Sequence, residues 1–339
     1  MRVQRKVSMT KQRSAEEILK IAWSFQQASV LTAAADLNVF TALHERPMTA
    51  DALAGELGTD LRATTILLDA LAALEFLIKK GDDYSVPTAL AELLSEKSAQ
   101  NVLPVVRHLA NCLGRWAQLA RVTQSGRPAE RVASIRGEAA DQAAFIGAMH
   151  NISAPVAAEV VGRLMPFKFS HLLDIGGASG TWTMAFLDAV PEATATLFDL
   201  PDVIEMAQKR LSDASLSEKV TLVAGDFYTD ELPAGADLAW LGAICHQNSR
   251  QQNRELFARI HKAMTDDGVV VIRDVVMDPS HTSPEGGALF AVNMLVATEG
   301  GGTYTLAEYS EDLSEAGFDD VTLVHRDEFM SSLIRARKA

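Results

Sequence analysis

The chain is short of cysteine, of positive charge and of long apolar runs, and each shortage excludes something. Cys112 and Cys245 are the only cysteines in 339 residues. They lie far apart and without metal-ligand spacing, so neither a disulfide framework nor a zinc site is indicated, and a reducing cytoplasm fits. Lysine and arginine total 31 against 44 acids, a formal net charge of −13 with a pI near 5.1. A field of that sign disfavours partners gripped through phosphates or an anionic membrane surface, so neither nucleic acid nor membrane is expected. No run of about eighteen apolar residues occurs, the length a spanning helix needs. The basic stretch Arg2, Arg5, Lys6, Lys11 and Arg13 leads into no signal-type apolar segment, and residues 1–13 read as a disordered tail. No metal-cluster motif is present.

What is present is enough chain for two domains, with 48% hydrophobic residues, ordinary for a packed globular protein. Ser14 to Glu17 has the capping-box pattern, and Ile18, Ile21, Ala22, Phe25, Val30, Leu31 and Ala34 recur at helical spacing, predicting one long amphipathic helix. Val39 to Leu43, Ala50 to Leu57 behind Thr49, and Leu61 to Phe76 read as further helices. A hairpin with a polar turn at Gly81-Asp82-Asp83 follows. Helix, turn, helix and hairpin is a winged-helix arrangement, which raises DNA binding. The would-be recognition helix, however, offers one arginine and two acids among apolar residues, so packing or dimerisation is the better reading.

Asp141 to Leu164 predicts another long helix, with Pro155 inside it as a kink or a junction. It precedes the stretch around which the second half is organised, HLLDIGGASGT from His171 to Thr181. A short buried strand there runs into a glycine turn that opens a helix, so backbone N–H groups and the Asp174 carboxylate converge. From Ser170 onward strands and helices alternate, the rhythm of a doubly wound, mainly parallel α/β sheet that binds ligands at its strand carboxyl ends. Asp174, Asp199, Asp226 and Asp274 all fall at such ends.

Ala178 and Thr181 break the dinucleotide spacing G-x-G-x-x-G, and the Gly-Lys-Ser/Thr of a phosphate loop is missing. An acid two residues before the first glycine suits a ligand with positive charge better than a pyrophosphate. S-adenosylmethionine is such a ligand. Asp199 is placed to accept from ribose hydroxyls, and Asp226 with Phe227 to hold an adenine edge and face.

DIGGASG, FDLPDV, VAGDFY, ICHQNS, DDGVVVIRD and GGTYTLAEYSEDLSEAGF, in this order after an apolar winged-helix half, resemble the S-adenosylmethionine-dependent small-molecule O-methyltransferases. Plant phenolic, vertebrate hydroxyindole and bacterial polyketide or pigment enzymes make up that family. The resemblance implies a Rossmann-like seven-stranded methyltransferase sheet with one antiparallel strand near the C-terminus, at about Ser331 to Arg337. It also implies a homodimer built through the N-terminal domain, acting in secondary metabolism. The expected organisation is a winged-helix-like dimerisation domain over 14–100, a helical linker and pocket wall over 101–168, and the catalytic domain over 169–339. Carried over by motif, Gly176, Gly177 and Gly180 line the methionine portion of the cofactor, beside Asp174. Asp199 with Leu200 takes the ribose, Asp226 and Phe227 the adenine, and Ser153 the cofactor carboxylate.

Methyl transfer to a phenol needs help with the proton. His246, just past the apolar run Leu241 to Cys245, stands where the family has its catalytic histidine, and Asp274 where it has an orienting acid. His150 is a second titratable group near the pocket wall. The family's second orienting glutamate falls on Thr303, with Glu299 close by, and Gln247-Asn248 replaces its acid and tryptophan. Met149, Trp116, Phe145, Phe290, Asn293 and Met294 are the acceptor-pocket candidates, and Asn293 faces either solvent or substrate. The expected activity is O-methylation of an aromatic or polyketide-like hydroxyl with S-adenosylmethionine as methyl donor, S-adenosylhomocysteine as product and no metal. An N- or C-methyltransferase, a non-methylating relative, and a cofactor-sensing DNA-binding regulator stand as the alternatives.

Overall fold

The computed structural model describes residues 12–339; of the tail expected over 1–13, residues 1–11 lie outside the described residues. The chain divides into two compact units, the first ending at Ala110 and the second running from Asn111 to Ala339.

In the first unit the single long helix expected from Ser14 is two, Ala15–Trp23 and Phe25–Asp36. Ser24 ends the first, its hydroxyl donating back to the Ile21 carbonyl at 2.8 Å, a local bond that competes with the helical ladder. Thr49 and Asp60 cap Ala50–Leu57 and Leu61–Ala73 through backbone N–H groups at 3.2 and 2.8 Å. Leu61–Ala73 stops before the expected Phe76 because Glu75 takes a left-handed φ of 64°. The hairpin Ile78–Lys80 with Asp83–Ser85 pairs Lys80 with Asp83, and Met48–Thr49 adds a third short strand. Phe40, Leu53, Leu68, Leu71 and Tyr84 form the core of this unit.

The second unit carries a seven-stranded sheet: β1 His171–Ile175, β2 Thr194–Asp199, β3 Val220–Ala224, β4 Ala236–Gly242, β5 Met264–Asp274, β6 Phe318–His325 and β7 Ser332–Lys338. The order is β6-β7-β5-β4-β1-β2-β3. β1 to β5 pair in parallel, and β7 runs antiparallel to both β5 and β6. Helices α1 Glu138–Gly162, α2 Thr181–Ala189, α3 Pro201–Asp213, α4 Arg250–Ala263, α5 Glu285–Ala297 and α6 Leu306–Glu315 accompany it.

Apolar residues on one face of the sheet pack with α4 and α6 around Phe257, Leu313 and Tyr309. Those on the other pack around Phe186, Trp182, Trp240 and α1 residues Ala157, Val160 and Val161. A parallel strand buried on both faces reads as a continuous apolar run, as Leu238 to Leu241 does. Helix α1 is one 25-residue helix straight through Pro155, so the expected kink does not divide it. It is the one helix among the described residues long and apolar enough by count to cross a membrane, yet it packs into this core.

The ends of β1, β2, β4 and β5 meet along one edge, and the polar residues that cluster there are those that a strand ending at the surface can present.

Candidate active site

The glycine turn is shaped by close approach. Gly176 has φ +68° and its N–H donates to the Phe198 carbonyl at 2.8 Å. A Cβ there would lie 2.7 Å from the tip of Ile244 and 3.8 Å from the Phe227 ring, so the left-handed backbone and the close approach together favour glycine. A Cβ on Gly177 would meet Leu197 at 2.6 Å and the Asp174 carboxyl carbon at 3.0 Å. The turn is therefore folded down over Asp174. Gly180, at φ +76°, opens α2.

Asp174 is buried, and its Oδ2 accepts from the Thr183 hydroxyl at 2.6 Å. Burial pushes its pKa up to about 7, with Asp199 adding a like charge. Asp199 is pushed up by burial too, although it accepts the N–H groups of Ala178 at 2.8 Å and Leu200 at 2.7 Å. Neither carboxylate has a basic partner among the described residues. A buried acid beside a partly buried one, with no counter-charge, forms a site that a positively charged ligand would complete. Leu200 is about half exposed at the start of α3, which Pro201 opens.

Beyond β3, Asp226 accepts the Tyr228 N–H at 2.9 Å, and the Phe227 and Tyr228 rings tilt together at 4.6 Å. Phe227 thus flanks Gly176, while Asp226 is partly spent on its own turn. Ser153 is buried on α1, one turn beyond His150. The His150 ring Nδ1 is hydrogen-bonded to the Thr181 hydroxyl at 2.9 Å, in a polar chain that continues through Ser179 to Arg210. Burial, then Arg210, holds the His150 pKa below the usual histidine range. His150 is therefore tied to the start of the helix that the glycine turn opens and is not among the partners of Asp274, and Met149 beside it is half-buried.

His246 lies in the short turn Cys245–Gln247 after β4. Its ring Nδ1 is 2.9 Å from Asp274 Oδ1 and its backbone N–H 3.1 Å from Asp274 Oδ2. The Val275 N–H adds a third donor to the same carboxylate at 2.8 Å. An ionised carboxylate only accepts, so Nδ1 carries the proton and Nε2 presents its lone pair. The Phe290 ring of α5 stands edge to face with His246, centroids 4.8 Å apart. Behind it the carbonyl of His246 accepts the Gly302 N–H at 2.9 Å, and a Cβ on Gly301 would lie 2.6 Å from that oxygen. The glycines after Glu299 thus let the loop close on the histidine backbone.

Thr303 does not reach this pair. Its hydroxyl donates to the Gly287 carbonyl at 3.3 Å, and Glu299 is exposed. Asp274 is the one carboxylate bonded to His246 among the described residues. Asn248 is fully buried: its Oδ1 accepts from Tyr228, its amide donates to Asn253, and its carbonyl accepts from Tyr304. Asn293 turns inward to accept from the Trp116 indole at 2.9 Å, which joins two acceptor candidates that lie 177 positions apart. Met294 is buried and Phe145 is 47% exposed. The sequence reading missed Ile244 against Gly176, Thr183 under Asp174, and Phe329, whose ring meets Phe290 at 5.6 Å. A hydroxyl nine residues after the strand-end acid was the only signal for Thr183.

Residues 123–319 match the O-methyltransferase domain and residues 19–97 the O-methyltransferase dimerisation domain. The tetracenomycin polyketide synthesis 8-O-methyl transferase of Streptomyces glaucescens is 32% identical over 90% of this chain and 91% of its own. An N,N-dimethyltransferase of Streptomyces rimosus is 29% identical over 90% of each. The solved structure of PigF with S-adenosylhomocysteine superposes with a TM-score of 0.85 at 26% identity, covering 96% of this chain and all of that one. The chain belongs to the O-methyltransferase family, S-adenosylmethionine-dependent enzymes that carry a dimerisation domain ahead of the transferase domain.

Proposed function

We propose that the protein methylates a hydroxyl of a planar aromatic or polyketide-like small molecule, with His246 as general base and Asp274 as its orienter. The observation that carries this is the twofold hold of Asp274 on His246, which fixes the tautomer and leaves Nε2 free to take a proton beside an aromatic wall. When bound, S-adenosylmethionine supplies an electrophilic methyl on a sulfonium centre and leaves as S-adenosylhomocysteine. The glycine turn at 176–180, with Asp174, Asp199, Leu200, Asp226, Phe227 and Ser153, would hold it. The unpaired charge of Asp174 and Asp199 suits its ammonium, sulfonium and ribose hydroxyls.

His246 Nε2 accepts the acceptor's O–H proton as the oxygen becomes the nucleophile, and Asp274 stabilises the imidazolium that results. Phe290, Met149 and the Trp116–Asn293 pair wall the acceptor, and their largely apolar surface excludes water. A homodimer through the N-terminal domain is part of this reading. Its support is the matched dimerisation domain and the exposed apolar side chains of the first helices. Small-molecule chemistry in a soluble, cytoplasmic setting completes it.

A second reading, amine methylation, is favoured by the likeness to the N,N-dimethyltransferase and by the single carboxylate behind His246. Replacement of His246 by Ala separates the two. With a panel of hydroxylated and amino aromatics, we expect hydroxyl methylation to fall by about 10²–10⁴ in kcat. Unchanged turnover on hydroxyls would overturn the base assignment, and turnover confined to amines would favour the second reading.

A further inference from the structure

The β6–β7 connection, residues 326–331, is a braced loop that ends where Ser332 pairs with Asp274. The Asp327 carboxylate accepts the N–H groups of Phe329 at 2.9 Å and Ser331 at 3.0 Å. Arg273, buried at the end of β5, donates to the Ser331 hydroxyl at 3.2 Å, and Arg326 reaches the Val276 carbonyl at 3.3 Å. Arg273 is itself fixed over the Trp182 ring at 4.7 Å.

The loop delivers the Phe329 ring edge to face onto Phe290, at 5.6 Å and 83°, and Phe290 in turn stands edge to face on His246, at 4.8 Å and 84°. Room for the outer ring is made on α5, where a Cβ on Gly286 would come within 3.3 Å of Phe329. Phe329 nonetheless stays 44% exposed. A core aromatic would be covered, and a loop ornament would not be tied down by two arginines and a carboxylate turn. A pinned, half-open aromatic two rings from a general base has the properties of a pocket wall.

We propose that Phe329 sets acceptor selectivity: it fixes the Phe290 ring against His246 and adds its own half-open ring 5.6 Å further on, a wall longer than one ring, which favours flat, fused-ring hydroxylated acceptors over small single-ring phenols. It is a positioning and specificity residue, with no part in the proton transfer. This rests on the hydroxyl-methylating reading above.

The test compares wild type, Phe329→Ala, Phe329→Leu and Phe329→Tyr on fused-ring hydroxyquinones and single-ring phenols, with S-adenosylhomocysteine affinity and the pH profile measured alongside. For Phe329→Ala and Phe329→Leu we expect KM for the fused-ring compounds to rise about tenfold, the scale of one lost aromatic pair. The preference over single-ring phenols should shrink with it, while kcat and its pH profile stay within about threefold and S-adenosylhomocysteine binds as before. Phe329→Tyr should restore the preference. Unchanged KM and ranking in both truncations would overturn the inference while leaving His246 chemistry intact, as would an equal loss of S-adenosylhomocysteine affinity, which marks a general structural role. If wild type methylates none of the hydroxylated compounds, the underlying reading falls and this inference with it.

Discussion

Asp274 grips His246 at two points, ring Nδ1 at 2.9 Å and backbone N–H at 3.1 Å. One carboxylate therefore sets both the tautomer of the imidazole and the path of the chain that carries it. The acid comes from the end of β5 and the histidine from the turn after β4, adjacent strands of the sheet. The pair is thus fixed by strand pairing, without dependence on a mobile loop.

Asp274→Asn keeps an acceptor oxygen for one N–H but places an NH₂ where the ring proton was received. We expect the imidazole to turn to the other tautomer and kcat to fall by about 10²–10⁴, with acceptor KM changed little. Asp274→Glu should retain part of the activity. Steady-state kinetics at saturating cofactor checks both, and full activity in the asparagine variant would show that orientation by Asp274 is dispensable.

Asp174 carries a pH signature. Burial lifts its pKa to about 7 in the fold, against about 3.9 for an unperturbed aspartate. Between about pH 4 and 7 the folded state thus holds a proton that the unfolded chain has released. Its contribution to stability is fully present below about pH 4 and is lost as pH rises through 7. In Asp174→Asn that loss is removed, and the Thr183 hydroxyl keeps an oxygen to donate to. The melting temperature of the ligand-free variant should therefore gain on wild type from pH 5 to about pH 7 and level off above it. Affinity for S-adenosylhomocysteine, whose ammonium the carboxylate would balance, should drop. A constant difference in melting temperature across that range would sink the assignment.

The parallel sheet and the acids at its strand ends were readable because they rest on period and position. Short, largely apolar segments with Asp174, Asp199, Asp226 and Asp274 at or just past their carboxyl ends, alternating with helical patterns, point to a parallel sheet with its ligand at that end. The site's finer wiring rests on contacts between distant residues, which no local pattern encodes. Nothing near Trp116 points to Asn293, and nothing in HQNS says that Asn248 turns inward to tie Tyr228, Asn253 and Tyr304 together. Phe329 sits in a hairpin connection with no periodicity around it, so its place beside Phe290 appears only in three dimensions. The break at Ser24 was invisible for the opposite reason. Apolar spacing continues across it, and the bond that ends the helix is a single hydroxyl's.

The helix Ala15–Trp23 buries none of its residues within the chain. Ile18, Ile21 and Trp23 stand 55%, 55% and 59% exposed, and Phe25, opening the next helix, 55%. Full burial of such a side chain is worth roughly 1.5–3 kcal/mol, and covering the half still open would gain about half of that for each, too much apolar surface to leave in water on one helix without a partner. Within the proposed homodimer this face is the part that a second copy covers. Ile21→Glu combined with Trp23→Glu puts charge where that contact would close, and ion desolvation at an apolar interface is costly. Light scattering should then give the mass of one chain for the double variant and of two for wild type. The core around Phe40, Leu53 and Leu71 does not include the substituted residues, so the circular dichroism spectrum should be retained. A wild-type protein that is monomeric at micromolar concentration would refute the dimer, and a double variant that stays dimeric would move the contact away from this helix.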